Sequence, residues 1–192
     1  MKELKISRTT KRRDQKHQEI LTAAADLMVL HGSGSVSLED IAKHADVARK
    51  TIYNHFENKE ALIKEMVMPV CDHAKDYLSD AKDLKKISLD QIWTYCLELW
   101  KTESLNSILL MKLNSDDCTE IESYKHGFVF VFNQLLRLVP EYSTLDDKLI
   151  KIMANTIYQV YLPILESIHT LDGYDQIFRN SMTGLISSIK QE

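Results

Sequence analysis

Between Val47 and Lys59 the chain reads Val-Ala-Arg-Lys-Thr-Ile-Tyr-Asn-His-Phe-Glu-Asn-Lys. Arg49, Lys50, Thr51, Tyr53, Asn54, His55 and Lys59 supply cations, hydroxyls and an amide, the groups that bind phosphate oxygens and base edges. The apolar members Val47, Ile52 and Phe56 recur at spacings of five and four. As a helix, this stretch buries one side and projects its polar set from the other. A helix of that kind suits a DNA major groove. It also fits a small amphipathic helix with a solvated face, so the elements around it must decide.

Upstream, the residues from Asp14 take on a helical pattern. Ile20, Ala24, Leu27, Met28 and Leu30 fall largely on one face, and Gly32 and Gly34 end the helix. Ser37-Leu-Glu-Asp40 has the form of a capping box, in which hydroxyl and carboxylate satisfy each other's backbone N–H groups. Leu38, Ile41, Ala42 and Ala45 give a second helix its buried stripe. It ends near Ala45 and Asp46, and a third helix starts at Val47 or Ala48. Three helices joined this tightly are a helix-turn-helix arrangement. The turn needs a residue tolerant of a left-handed backbone; Asp46 serves, less well than glycine.

The run Leu38-Glu-Asp-Ile-Ala42, Val47, Thr51-Ile-Tyr-Asn-His-Phe56 and Asn58-Lys-Glu-Ala-Leu62 resembles the DNA-binding domain of the TetR family of bacterial transcriptional regulators. The resemblance covers roughly residues 14 to 66. It implies an all-α homodimer: an N-terminal three-helix DNA-binding domain and a C-terminal helical domain for ligand binding and dimerisation. The organisation expected is a flexible basic arm at 1–13, the DNA-binding domain at 14–66 and the helical body at 67–192. Carried over by position, Arg49, Lys50, Thr51 and Asn54 face base edges or nearby backbone. Tyr53, His55 and Lys59 contact phosphates. Ser37 adds a phosphate contact at the start of the second helix, and Ile52 and Phe56 are core. The sequence departs from the family's habit at three positions: Asp46 and Lys50, where glycine is frequent, and Ala48, where a capping Ser or Thr is common. Lys50 beside Arg49 favours guanine, whose O6 and N7 accept from both.

The arm Met1 to Arg13 shows no apolar periodicity, and reads either as a solvated tail or as a contact to phosphate or minor groove. Asn58 caps a fourth helix carrying Leu62, Ile63, Met66, Val67 and Val70, with Pro69 inside it as a source of a kink. Helices follow from Ser88, from Ser104 to Leu113 and from Thr119 to Val139. The last contains Phe128-Val-Phe-Val-Phe132, expected to be apolar on most sides and buried. A long helix bounded by Gly173, with Pro163 within it, and a final helix around Ile177 to Ile189 suit a dimer formed as a four-helix bundle; packing within one chain is the alternative. Trp93, Trp100, Met111, Phe128, Phe132 and Tyr158, with Tyr124 and Tyr161, are candidates to line a cavity for an apolar small-molecule effector, or are simply core.

Net charge is −4, but its distribution is uneven. Residues 1–64 hold 12 Lys/Arg against 9 Asp/Glu, a net +3; the remainder holds 12 against 19, a net −7. Five Gly and three Pro in 192 residues leave few turns, which favours long helices. Three widely spaced cysteines form no metal-type pairing, and reduced thiols are expected. No apolar run approaches the roughly 20 residues of a membrane span, and no secretory signal core follows the basic start. No phosphate loop, dinucleotide fingerprint, nucleophile elbow or His-Glu-x-x-His occurs, so neither an enzyme nor a cofactor is expected. The expected protein is cytoplasmic, bacterial and nucleoid-associated. It is a repressor released from a double-stranded palindromic operator by a small molecule. The alternative is a DNA-binding scaffold whose body recruits a protein partner.

Overall fold

A computed structural model describes residues 8–189, and all regular structure among them is helical. The elements are α1 (Arg8–His31), α2 (Leu38–His44), α3 (Arg49–His55), α4 (Lys59–Leu84), α5 (Leu89–Lys112), α6 (Ile121–Leu138), α7 (Asp147–Ile168) and α8 (Tyr174–Ile189), with one 3-10 turn at Ser33–Ser35. No helix of the described residues is long and apolar enough to cross a membrane.

α1 starts six residues before the expected Asp14. Arg8 to Arg13, expected in the arm, are therefore helical, while residues 1–7 of the expected arm lie outside the described residues. Lys and Arg are good helix formers, and no Gly or Pro interrupts the chain before Gly32, so an absent apolar stripe was no sign of an absent helix. Gly32, at φ 79°, stops α1 as expected. Capping residues then punctuate the chain. Ser37 and Asp40 form the expected capping box on α2, Asn58 accepts from the Ala61 N–H to open α4, and Ser88 with Gln91 boxes α5.

α4 passes without interruption through the domain boundary expected at residue 66, so the N-terminal domain (the head) and the body share one rod. Its backbone is helical throughout despite Pro69; the bend in the molecule lies in α5 at Glu103 (φ −135°, ψ 31°). The division the sequence expects before Ser104 falls at this kink, where Glu103 leaves helical geometry between two helical stretches. α1 packs on α5 as well as on α2 and α4. At the head end of α4, Glu60 accepts from the Thr119 N–H and hydroxyl at 3.0 and 2.7 Å, and Lys64 reaches Glu120 at 3.1 Å. These bonds hold the start of α4 against the segment leading into α6.

The body core lies among α4, α5, α6, α7 and α8, filled by Trp93, Tyr95, Phe128, Phe132, Tyr161 and Phe178, all nearly solvent-free. α8 is pinned to α5 by the Trp93 indole N–H donating to Thr183 Oγ1 at 2.8 Å and by Arg179 on the Asp90 carboxylate at 2.6 Å. The Phe128 to Phe132 run is helical, as expected, but not buried all round. Phe128, Val131 and Phe132 face the core at helical spacing, which turns Phe130 outward, 57% exposed.

In the α2–α3 turn, Asp46 sits at φ 50°, the left-handed conformation the turn requires. A side chain there costs strain that glycine does not. Asp46→Gly is expected to raise stability by about 1 kcal/mol, a melting-temperature increase of about 2–4 °C for a chain of this size. Calorimetry checks this, and an unchanged or lower melting temperature would show the aspartate turn to be relaxed.

Candidate nucleic-acid interface

α3 has seven residues and no side-chain cap, since Ala48 stands at the N-cap position. A helix that short is not stable alone. It is fixed by Ile52 and Phe56, 0% and 2% exposed, which enter the core formed with Ile20, Ile41 and Leu62. The Val47 N–H closes the turn on the Ala42 carbonyl at 2.9 Å, and Thr51 N–H bonds the Ala48 carbonyl at 2.7 Å. With Ile52 inward, helical geometry sends Arg49, Lys50, Tyr53 and Asn54 outward, and all four are exposed. Thr51 is half-buried beside them.

The outward set is tied to α2 by one carboxylate. Glu39 Oε1 accepts from Arg49 Nη2 at 2.8 Å and from the Tyr53 hydroxyl at 2.9 Å, and the Arg49 guanidinium lies 5.8 Å from the Tyr53 ring centre. The Tyr53 hydrogen bond, then backbone hydrogen bonding, then Arg49's charge hold the Glu39 carboxyl below the ordinary range. Nothing in the sequence marked Glu39 as the partner of both; the contact spans a turn whose geometry the sequence only outlines.

Three expected contact residues are engaged inside the protein. The Ser37 hydroxyl accepts from Asp40 N–H at 3.1 Å and donates to the Asp40 carboxylate at 2.5 Å. Lys59, expected at a phosphate, donates to the carbonyls of Ser33 and Val36 at 2.6 and 3.1 Å. Both carbonyls follow the end of α1; that of Ser33 already accepts from the Val36 N–H at 3.1 Å, and the ammonium adds a charged donor to it and to the Val36 carbonyl. His55, also expected at a phosphate, turns toward α1. Its Nδ1 lies 3.1 Å from His17 Nδ1, and His17 in turn bonds the Glu65 carboxylate through Nε2 and stacks on Phe56 at 4.8 Å. Which Nδ1 of the pair donates to the other depends on the tautomer of the two rings. His17 and Glu65 were not singled out in the sequence, because they meet His55 only through the fold.

The six expected pocket residues do not gather round one cavity. Trp93 and Phe132 are core, with Phe132 packed on Tyr161 at 5.6 Å. Trp100 is half-buried near His169, and Met111 is half-buried. Tyr158 is buried against Phe128 with no hydrogen-bond partner for its hydroxyl. Phe128 lines a groove between α4 and α6, which the other five do not touch.

Residues 20–66 match the family model described as "Bacterial regulatory proteins, tetR family". Over 49 residues the chain is 45% identical to the "Probable acrEF/envCD operon repressor" of Escherichia coli K12, a match spanning 26% of this chain and 22% of that protein. Among solved structures, a "Bacterial Regulatory Protein in the tetR Family" from Rhodococcus RHA1 superposes with TM-score 0.66 at 15% identity, covering 91% of this chain and 96% of that one. NalD, "the secondary repressor of MexAB-OprM multidrug efflux pump in Pseudomonas aeruginosa", superposes with TM-score 0.61 at 21% identity, covering 89% and 96%. At such identities these two establish the fold alone, over the 91% and 89% of the chain that they cover.

Two outcomes are expected here. Lys59→Ala leaves two carbonyls without their charged donor and lowers unfolding free energy by about 1.5 kcal/mol or more in denaturant titration; unchanged stability would return Lys59 to the phosphate-contact set. His55 is held below the ordinary histidine value of 6.5, first by burial, then by the neighbouring His17 and Arg13, against an opposing pull from Glu65. Below that value the unfolded chain takes up a proton that the folded chain resists, so stability falls as pH drops. The melting temperature is expected to fall from pH 7.5 to 5.5, and to fall less in His55→Gln. Equal slopes would refute the assignment.

Proposed function

We propose that this protein, whose N-terminal head belongs to the TetR family and whose chain takes the fold of TetR/AcrR regulators, is a homodimeric transcriptional repressor that occupies a two-fold operator until a small molecule releases it. The observation that carries this reading is the exposed Arg49, Lys50, Tyr53 and Asn54 row on a helix anchored by Ile52 and Phe56. Arg49, Lys50, Thr51 and Asn54 read base edges, and Tyr53 holds a phosphate. Ser37, His55 and Lys59 set the angle of α2 and α3 and do not bind DNA through freely projecting side chains. Repression is supported by the printed roles of the Escherichia coli and Pseudomonas aeruginosa proteins.

The second subunit packs on α7 and α8. These helices pack on each other, and Ile152, Ile177 and Leu171 of this pair and its connecting turn stay 46%, 39% and 52% exposed in one chain. A symmetric copy covers such a face by a bundle of four helices. It also sets two α3 helices about 34–36 Å apart, one turn of DNA. The effector releases the operator only as far as it binds the two conformations differently, and operator and effector weaken each other equally.

Selection of bound fragments from the source genome supplies the operator. On it, Arg49→Ala is expected to change the preferred base by about 1–3 kcal/mol of discrimination. Glu39→Gln is expected to raise affinity for operator and unrelated duplex alike, because Arg49 and Tyr53 no longer have to leave a carboxylate and one acid leaves the phosphate-facing side. Fluorescence anisotropy at fixed salt measures both. If Arg49→Ala weakens every duplex equally, Arg49 is a phosphate contact; if Glu39→Gln weakens binding, Glu39 positions the pair and does not restrain it.

A further inference from the structure

The groove between α4 and α6 has a volume of about 500 Å³, within the usual size of small-molecule sites. Its floor is Ala74, Leu78, Phe128 and Val131, with the exposed Phe130 at its edge. Cys71 closes the inner end, where burial pushes its thiol up to about 11 and keeps it neutral. Two cations, Lys75 and Lys82, line the α4 side, and no carboxylate belongs to the lining, although residues 65–192 carry a net negative charge. Seven residues apart on one helix, the two lysines stand about 10 Å apart along the axis. Lys82 has no ion-pair partner among the described residues, and Lys75 is paired with Asp72 at 2.9 Å in an exposed bond that a ligand can replace. Of the neighbouring carboxylates, Glu120 is held by Lys64 at 3.1 Å and by the Tyr124 hydroxyl at 2.7 Å, and Glu122 by Lys125 at 3.2 Å, while Asp76 adds its charge near Lys75.

We propose that the α4–α6 groove binds an amphipathic anion, its apolar body lying on Phe128, Phe130, Val131 and Leu78 and its acidic head meeting Lys82 and Lys75. This names a ligand class for the effector of the proposed repressor and rests on that reading for its regulatory part alone. Gly127 leaves the groove open at its centre: a Cβ there would meet nothing within 4 Å. The groove is also connected to the head. Tyr124 lines it and bonds Glu120, Glu120 bonds Lys64, and Lys64 lies on the head end of α4, one turn beyond Glu60. An occupant that displaces Tyr124 therefore loosens the bonds holding α4 at the head.

The test uses full-length protein, with decanoate as the anion and decanol as its neutral counterpart, followed by calorimetric titration. Decanoate is expected to bind one molecule per chain, at least tenfold more tightly than decanol. In the double variant Lys75→Met/Lys82→Met the two are expected to bind alike. Gly127→Leu, which fills the groove without a backbone clash, is expected to weaken both at least tenfold while circular dichroism stays unchanged. Equal binding of the two probes to the wild type, no saturable binding, or unchanged binding to Gly127→Leu would overturn the proposal. So would a dimer that dissociates in Phe130→Ser under sedimentation, since the groove would then be a surface between copies. Operator affinity without any probe is measured in parallel. If it is present while decanoate fails to bind, the anion site falls and the regulator stands. If decanoate binds and DNA does not, the reverse holds.

Discussion

The burial of Ile52 and Phe56 is the contact on which the presentation of α3 depends. A seven-residue helix without a capping side chain has no stability of its own. Two large apolar side chains, each contributing about 1.5–3 kcal/mol on burial, hold it against α1, α2 and α4. Because a helix has only one rotation that buries both, the same contact fixes which residues look outward. The polar row of Arg49, Lys50, Tyr53 and Asn54 is a consequence of where the apolar pair goes.

Electrostatics refine that placement. The outward row of α3 is not purely basic in its surroundings, because Glu39 of α2 is bonded to it. Glu39 collects Arg49 and Tyr53 into one bonded set, so the two side chains proposed to meet DNA are held together without it. Preorganisation of this kind reduces the entropy lost on binding, while the negative charge opposes contact with phosphate. Their balance decides whether Glu39 aids or restrains recognition. Behind α3, His55, His17 and Glu65 link α3, α1 and α4, so the head behaves as one packed unit.

Local patterns carried much of this fold. Ser37, Asn58 and Ser88 announced three helix starts, Gly32 one stop, and Ile52 and Phe56 the buried side of α3; α7 ends at Ile168, before the Gly173 expected to bound it. What escaped were relations between distant residues. Lys59 reads as a free cation until the chain brings the Ser33 and Val36 carbonyls beside it. His55 reads as a polar projection until His17, 38 residues earlier, packs against it. Arg8 to Arg13 lack apolar periodicity yet are helical, because periodicity reports a buried face and Thr10 to Arg13 are exposed. The aromatic residues of the body were legible as apolar but not as core or cavity wall; that distinction is made by which helices meet, and α4 with α6 leave open a groove that only Phe128 of the six expected residues enters.

The account turns on α3 entering the major groove in two copies. The three native cysteines are buried, so Asn54→Cys supplies an accessible thiol for a DNA-cleaving chelate. Placed on the selected operator, the tethered reagent is predicted to cut at two centres related by two-fold symmetry and about 10–10.5 base pairs apart. A single cleavage centre, cuts spread evenly along the duplex, or no cleavage by a labelled protein that still binds would contradict it.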